Sequence, residues 1–145
     1  MLKKVLPYQL DETGLSYFYK AIQTDDHSGT EDEVSADIYD DNSQLWQWET
    51  ETENLILVTT ISVHRDGYRE FVVTMIAGHG AHSGQHEILE AVRKKAAEYN
   101  CNRVIAFVKP HIAEIFGVAS FEKDTTNKNL MTAFDNIYLV VGVEV

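Results

Sequence analysis

Tyr68 to Val108 reads YREFVVTMIAGHGAHSGQHEILEAVRKKAAEYNCNRVIAFV. Three textures follow one another in it. Tyr68–Ala77 is rich in β-branched and aromatic residues and predicts a strand. Gly78–Gly84 is a loop carrying three glycines, Gly78, Gly80 and Gly84. Gln85–Tyr99 then places Ile88, Leu89, Val92 and Ala96 on one stripe at helical spacing, which predicts an amphipathic helix. Cys101-Asn102 ends that helix, and Arg103–Val108 is a compact apolar strand. Strand, glycine loop, long helix, strand: one long helix crosses between two strands, so the sheet is mixed.

Upstream, Asn54–His64 is a second β-branched run, joined to Tyr68–Ala77 by Arg65-Asp-Gly67 with its Asp-Gly hairpin signal. Gln44–Glu49 alternates, with Trp46 and Trp48 on one face and Leu45, Gln47 and Glu49 on the other. These three segments predict an antiparallel meander. The Trp pair reads as core, or otherwise as an exposed anchor for a partner. Before the meander, Leu2–Leu6 is a short strand closed by Pro7. Asp11 caps a helix over Glu12–Ile22, and Gly14 weakens that helix by about 1 kcal/mol. Thr30-Glu-Asp-Glu33 matches a capping box for a short helix from Glu31 to Tyr39 with Val34 and Ile38 inward. Downstream, His111–Val118 reads as a short helix and Asp124–Asn129 as a polar loop. Leu130–Phe134 and Ile137–Val145 read as a final hairpin around Asp135-Asn136. The fold class is α/β (α+β), a mostly antiparallel mixed sheet with helices on both faces, in one domain over residues 1–145.

Composition narrows the function classes. The chain has 145 residues, 44% hydrophobic, with 23 acids against 12 bases and a net charge of −11. That balance argues against nucleic acid or an anionic membrane as partner, since both need clustered Lys/Arg. The excess is local. Between Lys20 and Arg65 there is no Lys or Arg, while Asp25, Asp26, Glu31, Asp32, Glu33, Asp37, Asp40, Asp41, Glu49, Glu51 and Glu53 all fall there. The stretch reads as a solvated acidic face or as a docking surface for a basic partner. No apolar run is long enough for a membrane span. The amino terminus reads as neither signal nor transit peptide, so the expectation is a soluble protein that is not secreted. Cys101 stands alone and reads as a packed thiol.

The element order resembles the GCN5-related N-acetyltransferase (GNAT) fold, and the resemblance spans nearly the whole chain. In particular it resembles the short GNAT-like proteins of tailed bacteriophages. Its marks here are Leu6-Pro-x-x-Leu-Asp11, Gln44-Leu-Trp46, the glycine loop, Ala96-Ala97 with Asn100-Cys101, and Lys109-Pro110 leading to Ile112, Ile115, Phe116 and Ser120-Phe121. The resemblance implies a cradle for the pyrophosphate of acetyl-CoA between the fourth strand and the long helix. Its residues would be Gly78, Gly80, Ala81, Ser83, Gly84 and Gln85, although the leading Arg and the usual glycine spacing are missing. It implies Glu70 as general base, with His64 in reserve. Where working enzymes carry a Tyr acid, this chain reads Phe116-Gly117, and Tyr138 lies too far along to inherit the role.

Taken together, these departures lead to the expectation of a degenerate acyl-CoA site with no cofactor. The chain would then be a virion-associated or protein-binding component, located in host cytoplasm or particle and meeting phage structural proteins. The alternative is an acetyl-CoA-dependent N-acetyltransferase acting on a cationic amine. A further alternative is an acidic inhibitor of a host enzyme. His79, His82 and His86 form a weak metal candidate through the i, i+4 spacing of the last two.

Overall fold

The computed structural model describes residues 2–24, 30–79, 85–108, 122–123 and 139–144. Among the described residues seven strands make one sheet: β1 (Leu2–Val5), β2 (Ser43–Glu49), β3 (Asn54–Val63), β4 (Arg69–His79), β5 (Arg103–Val108), β6 (Glu122–Lys123) and β7 (Leu139–Glu144). Their order in the sheet is β1-β2-β3-β4-β5-β7-β6. Every neighbouring pair is antiparallel except β4 and β5, which the crossover helix forces to be parallel. The α-helices among the described residues are α1 (Glu12–Thr24), α2 (Glu31–Tyr39) and α3 (Gln85–Glu98).

The expected mixed sheet with both faces covered is what forms. On one face α3 lays Ile88, Leu89, Val92 and Ala96 onto Trp46, Trp48, Leu55, Leu57, Phe71 and Val73. On the other, α1 and α2 bring Phe18, Ala21, Ile22, Val34 and Ile38 onto Leu45, Ile56, Val58 and Met75. Trp46 and Trp48 are core residues, as the alternation of β2 predicts, and their indole N–H groups are satisfied. Trp46 Nε1 donates to Thr59 Oγ1 at 2.8 Å, and Thr59 donates onward to Gln44 Oε1 at 2.9 Å. Trp48 Nε1 donates to Glu53 at 3.3 Å.

The helix ends follow their capping chemistry. Asp11 Oδ1 accepts from the Gly14 N–H at 2.7 Å, and Thr30 Oγ1 accepts from the Glu33 N–H at 3.3 Å. The Glu33 carboxylate returns to the Thr30 hydroxyl, at 3.2 Å, rather than to its backbone. At their C-termini α2 and α3 close the same way. Asn42 N–H reaches back to Asp37 O and Cys101 N–H to Ala96 O, both at 2.9 Å. Asp41 and Asn100 sit in the left-handed region, at φ 62° and 59°. These are Schellman closures with short polar residues where glycine is commonest. Lys4 of β1 joins the two ends: its Nζ donates to Asp41 at 2.9 Å and lies 5.9 Å from the centre of the Tyr99 ring. The Asp41 bond, aided by Tyr99 and opposed by burial, raises the Lys4 pKa.

Several expected boundaries move. β4 runs on through Gly78 and His79, which the sequence assigns to the loop. α3 ends at Glu98 rather than Tyr99. A tight hairpin around Asp135-Asn136 would set Leu130 opposite Val141. Instead Val141 pairs with Ala106 on one side and with Lys123 on the other, so the short β6 holds that place. The expected segments 109–121 and 124–138, including Phe116 and Tyr138, lie outside the described residues.

Candidate functional site at the parting of strands four and five

The parallel ladder between β4 and β5 is short. Glu70, Phe71, Val72 and Val73 face Arg103, Val104, Ile105 and Ala106, and the pairing ends there. β4 continues six residues beyond it, still paired with β3. β5 continues as Phe107 and Val108, which pair with Val140 and Leu139 of β7. The two strands therefore part company in the middle of the sheet.

At that same point β4 carries a bulge. Val58 of β3 faces Met75 while Thr59 faces Val73, so Thr74 is the extra residue. Its hydroxyl donates to Val58 O at 3.1 Å. The bulge reverses the alternation of the strand. Phe71 and Val73 point toward α3, whereas beyond Thr74 it is Met75 and Ala77 that pack with α1 and α2. Beyond Val73, the backbone groups of β4 that look toward β5 have no partner on that strand among the described residues. Among the described residues that edge of β4 is unpaired, and an extended chain with amide groups of its own would complete it.

Glu70 lies on β4 four residues before the bulge. By the alternation of the strand it shares the α1/α2 face with Val72. It is a buried carboxylate, 8% exposed as a residue, on a strand otherwise apolar from Phe71 to Val73. His64 Nε2 meets its Oε1, so the residue named as base and the one named in reserve are direct partners. The signal was present in the sequence. A hairpin turning at 65–67 sets His64 opposite Tyr68, and residues 64 and 70 then share a face as diagonal neighbours. The backbone beneath Glu70 is tied to the end of α3. Arg69 N–H donates to Asn102 Oδ1 at 3.0 Å, Asn102 N–H donates to Arg69 O at 2.8 Å, and the Arg69 guanidinium donates to Tyr99 O at 3.0 Å. Cys101, beside this lock, is the packed thiol expected; burial, partly opposed by Arg69, raises its pKa.

The glycine loop is only partly in view. Gly78, at φ +139°, is required by β3: a β-carbon there would stand 2.1 Å from Asn54 O and 2.8 Å from Leu55 Cα. Gly80, Ala81, Ser83 and Gly84 lie outside the described residues. Gln85 is the first residue of α3. Of the three histidines, His79 ends β4 and His86 is the second residue of α3, while His82 lies outside the described residues. No metal-holding group of His, Cys, Asp or Glu occurs among the described residues. Nor is any described helix long and apolar enough to cross a membrane. Glu53, buried against Trp48, is a further buried carboxylate that sequence reading assigned only to the acidic stretch.

Similarity to known proteins lies in the fold. No protein-family model matches the chain, and no curated protein matches its sequence. Solved structures match over the full length. A chain of the NatC complex bound to Gag peptide and CoA superposes with a TM-score of 0.63 at 10% identity, covering 100% of this chain and 98% of that one. Naa50 of Arabidopsis thaliana, in complex with the bisubstrate analogue CoA-Ac-MVNAL, gives 0.58 at 11% identity, covering 99% of each. The spermidine/spermine N-acetyltransferase SpeG from Vibrio cholerae gives 0.56 at 12% identity, covering 99% of this chain and 93% of that one. The fold is that of the GNAT acetyltransferases.

Proposed function

We propose that this chain is an acyl-CoA-dependent N-acyltransferase acting on a cationic amine, with Glu70 as the group that takes the amine proton. The observation that carries the reading is a coincidence on one strand: the β4–β5 ladder stops at Val73, the bulge falls at Thr74, and a buried carboxylate precedes both. The free backbone edge of β4 beyond Val73 suits the amides of a pantetheine arm, and the N-terminus of α3 suits its phosphates. Bound there, an acyl-CoA supplies an activated acyl group. Glu70 accepts one proton from the substrate ammonium, leaving a neutral nitrogen whose lone pair forms the new C–N bond as the thioester C–S bond breaks, and the second nitrogen proton goes to the departing thiolate, so that CoA leaves as its thiol. Val72 and Ile105, buried and paired in register beside it, keep water from this part of the strand. The CoA-bound and polyamine-acetylating structures that share the fold support the reading. The acidic excess of the chain favours a cationic substrate.

Incubation with acetyl-CoA and a panel of polyamines, aminoglycosides and basic peptides tests it. The wild type releases CoA with at least one amine, and Glu70→Gln lowers kcat by about 10²–10⁴-fold with KM for acetyl-CoA little changed. No release with any amine overturns the reading.

A second reading follows from Gly78 and α2. The close approach of β3 accounts for Gly78 without any phosphate. Glu31, Asp32, Glu33, Asp37, Asp40 and Asp41 are all exposed. On this reading the fold serves protein contacts alone, as in a component of a tailed-phage particle. Co-purification separates the two, since bound CoA favours the enzyme and a stoichiometric basic protein without CoA favours the component.

A further inference from the structure

We infer that His64 is a positioning residue for Glu70, holding one carboxylate oxygen so that the other stays free for the amine proton. The inference rests on the acyltransferase reading and adds a residue to it. A carboxylate on a strand can turn about its terminal bond, and a proton acceptor that turns spends little time aimed at its donor. Here Oε1 is taken by His64 Nε2, which donates to it when the ring proton is on that nitrogen. The backbone of His64 is fixed in the hairpin, and its ring has a neighbour. The backbone N–H of His64 donates to Tyr68 O at 2.8 Å, the backbone N–H of Gly67 donates to His64 O at 3.0 Å, and the Tyr68 ring meets the imidazole edge-on at 5.8 Å between ring centres. The side chains differ in exposure, 50% for His64 and 11% for Glu70, so the histidine screens the carboxylate from bulk water on its side. Ser62 of β3 and Arg103 of β5 are the register neighbours of Glu70 on its flanks. His64 thus acts through Glu70 and is no substitute for it.

The test uses the full chain, acetyl-CoA and the amine of the panel that turns over fastest. His64→Leu should lower kcat about 10- to 100-fold at unchanged KM for acetyl-CoA. His64→Gln, whose amide nitrogen reaches the same oxygen, should recover most of the loss. Thermal melting checks that both variants, altered at a half-exposed site, stay folded. Wild-type kcat in His64→Leu overturns the inference and leaves the acyltransferase reading standing, as does a His64→Gln rate no better than that of His64→Leu. Absence of CoA release by the wild type overturns both.

Discussion

A β-carbon on residue 78 has no room: the carbonyl of Asn54 and the Cα of Leu55 already fill the place. A φ of +139° adds a conformation that L-residues rarely adopt. Gly78→Ala should therefore cost more than about 2 kcal/mol of stability, measured by urea unfolding at constant m-value. A cost under about 0.5 kcal/mol would show that β3 and β4 are not so close. The example also shows how far a glycine-rich motif can be read. Its composition invites a phosphate cradle, yet the first glycine is explained by a neighbouring strand that lies twenty-odd residues upstream. Glu70 and His64 were legible as types and as a strand and its hairpin. Their contact was legible in principle, from the turn at 65–67. Glu53 was not: nothing in a run of acids marks the one that turns inward to meet an indole.

The elements themselves were written plainly where periodicity is strong. α3, α2 and the meander stand within a residue or two of their predicted bounds, because apolar stripes, a Thr cap and an Asp-Gly turn each state a local preference that packing reinforces. The bulge is different. Phe71-Val-Val-Thr-Met-Ile-Ala77 is apolar on nearly every position, so alternation cannot say where the faces exchange. The exchange becomes visible only when Val73 packs under α3 and Met75 under α1 and α2. Deleting Thr74 removes the extra residue and makes the ladder regular, while Met75, then next after Val73, keeps its place toward α1 and α2. The expected outcome is unfolding that stays cooperative with a stability change of about 1 kcal/mol, read by circular dichroism and denaturant titration. Loss of cooperative unfolding would mean that the bulge itself is needed to seat the two cores. The two-residue β6 was missed because Glu122-Lys123 has no pattern of its own; it is a strand only because β7 lies beside it.

Across the whole molecule, the charge is one-sided. A net charge of −11 with its excess confined to residues 25–53 gives a long-range field that attracts cations and repels polyanions. If a cationic amine is the substrate, raising ionic strength from about 20 to about 200 mM should lower its kcat/KM several-fold, while an uncharged aromatic amine is little affected. Equal salt dependence for the two would remove the acidic field from the account. The fold as a class was readable from element order alone, since an early helix pair, a three-strand meander and a helix crossing to a parallel strand admit few arrangements. Whether the parted strands are a working site was not readable. That depends on a bulge and a broken ladder, which are properties of register rather than of composition. The most direct measurement is calorimetric titration of the full chain with acetyl-CoA. One-to-one binding at micromolar strength is the predicted result, and no detectable heat at millimolar ligand would contradict the claim that the gap between β4 and β5 is an acyl-CoA site.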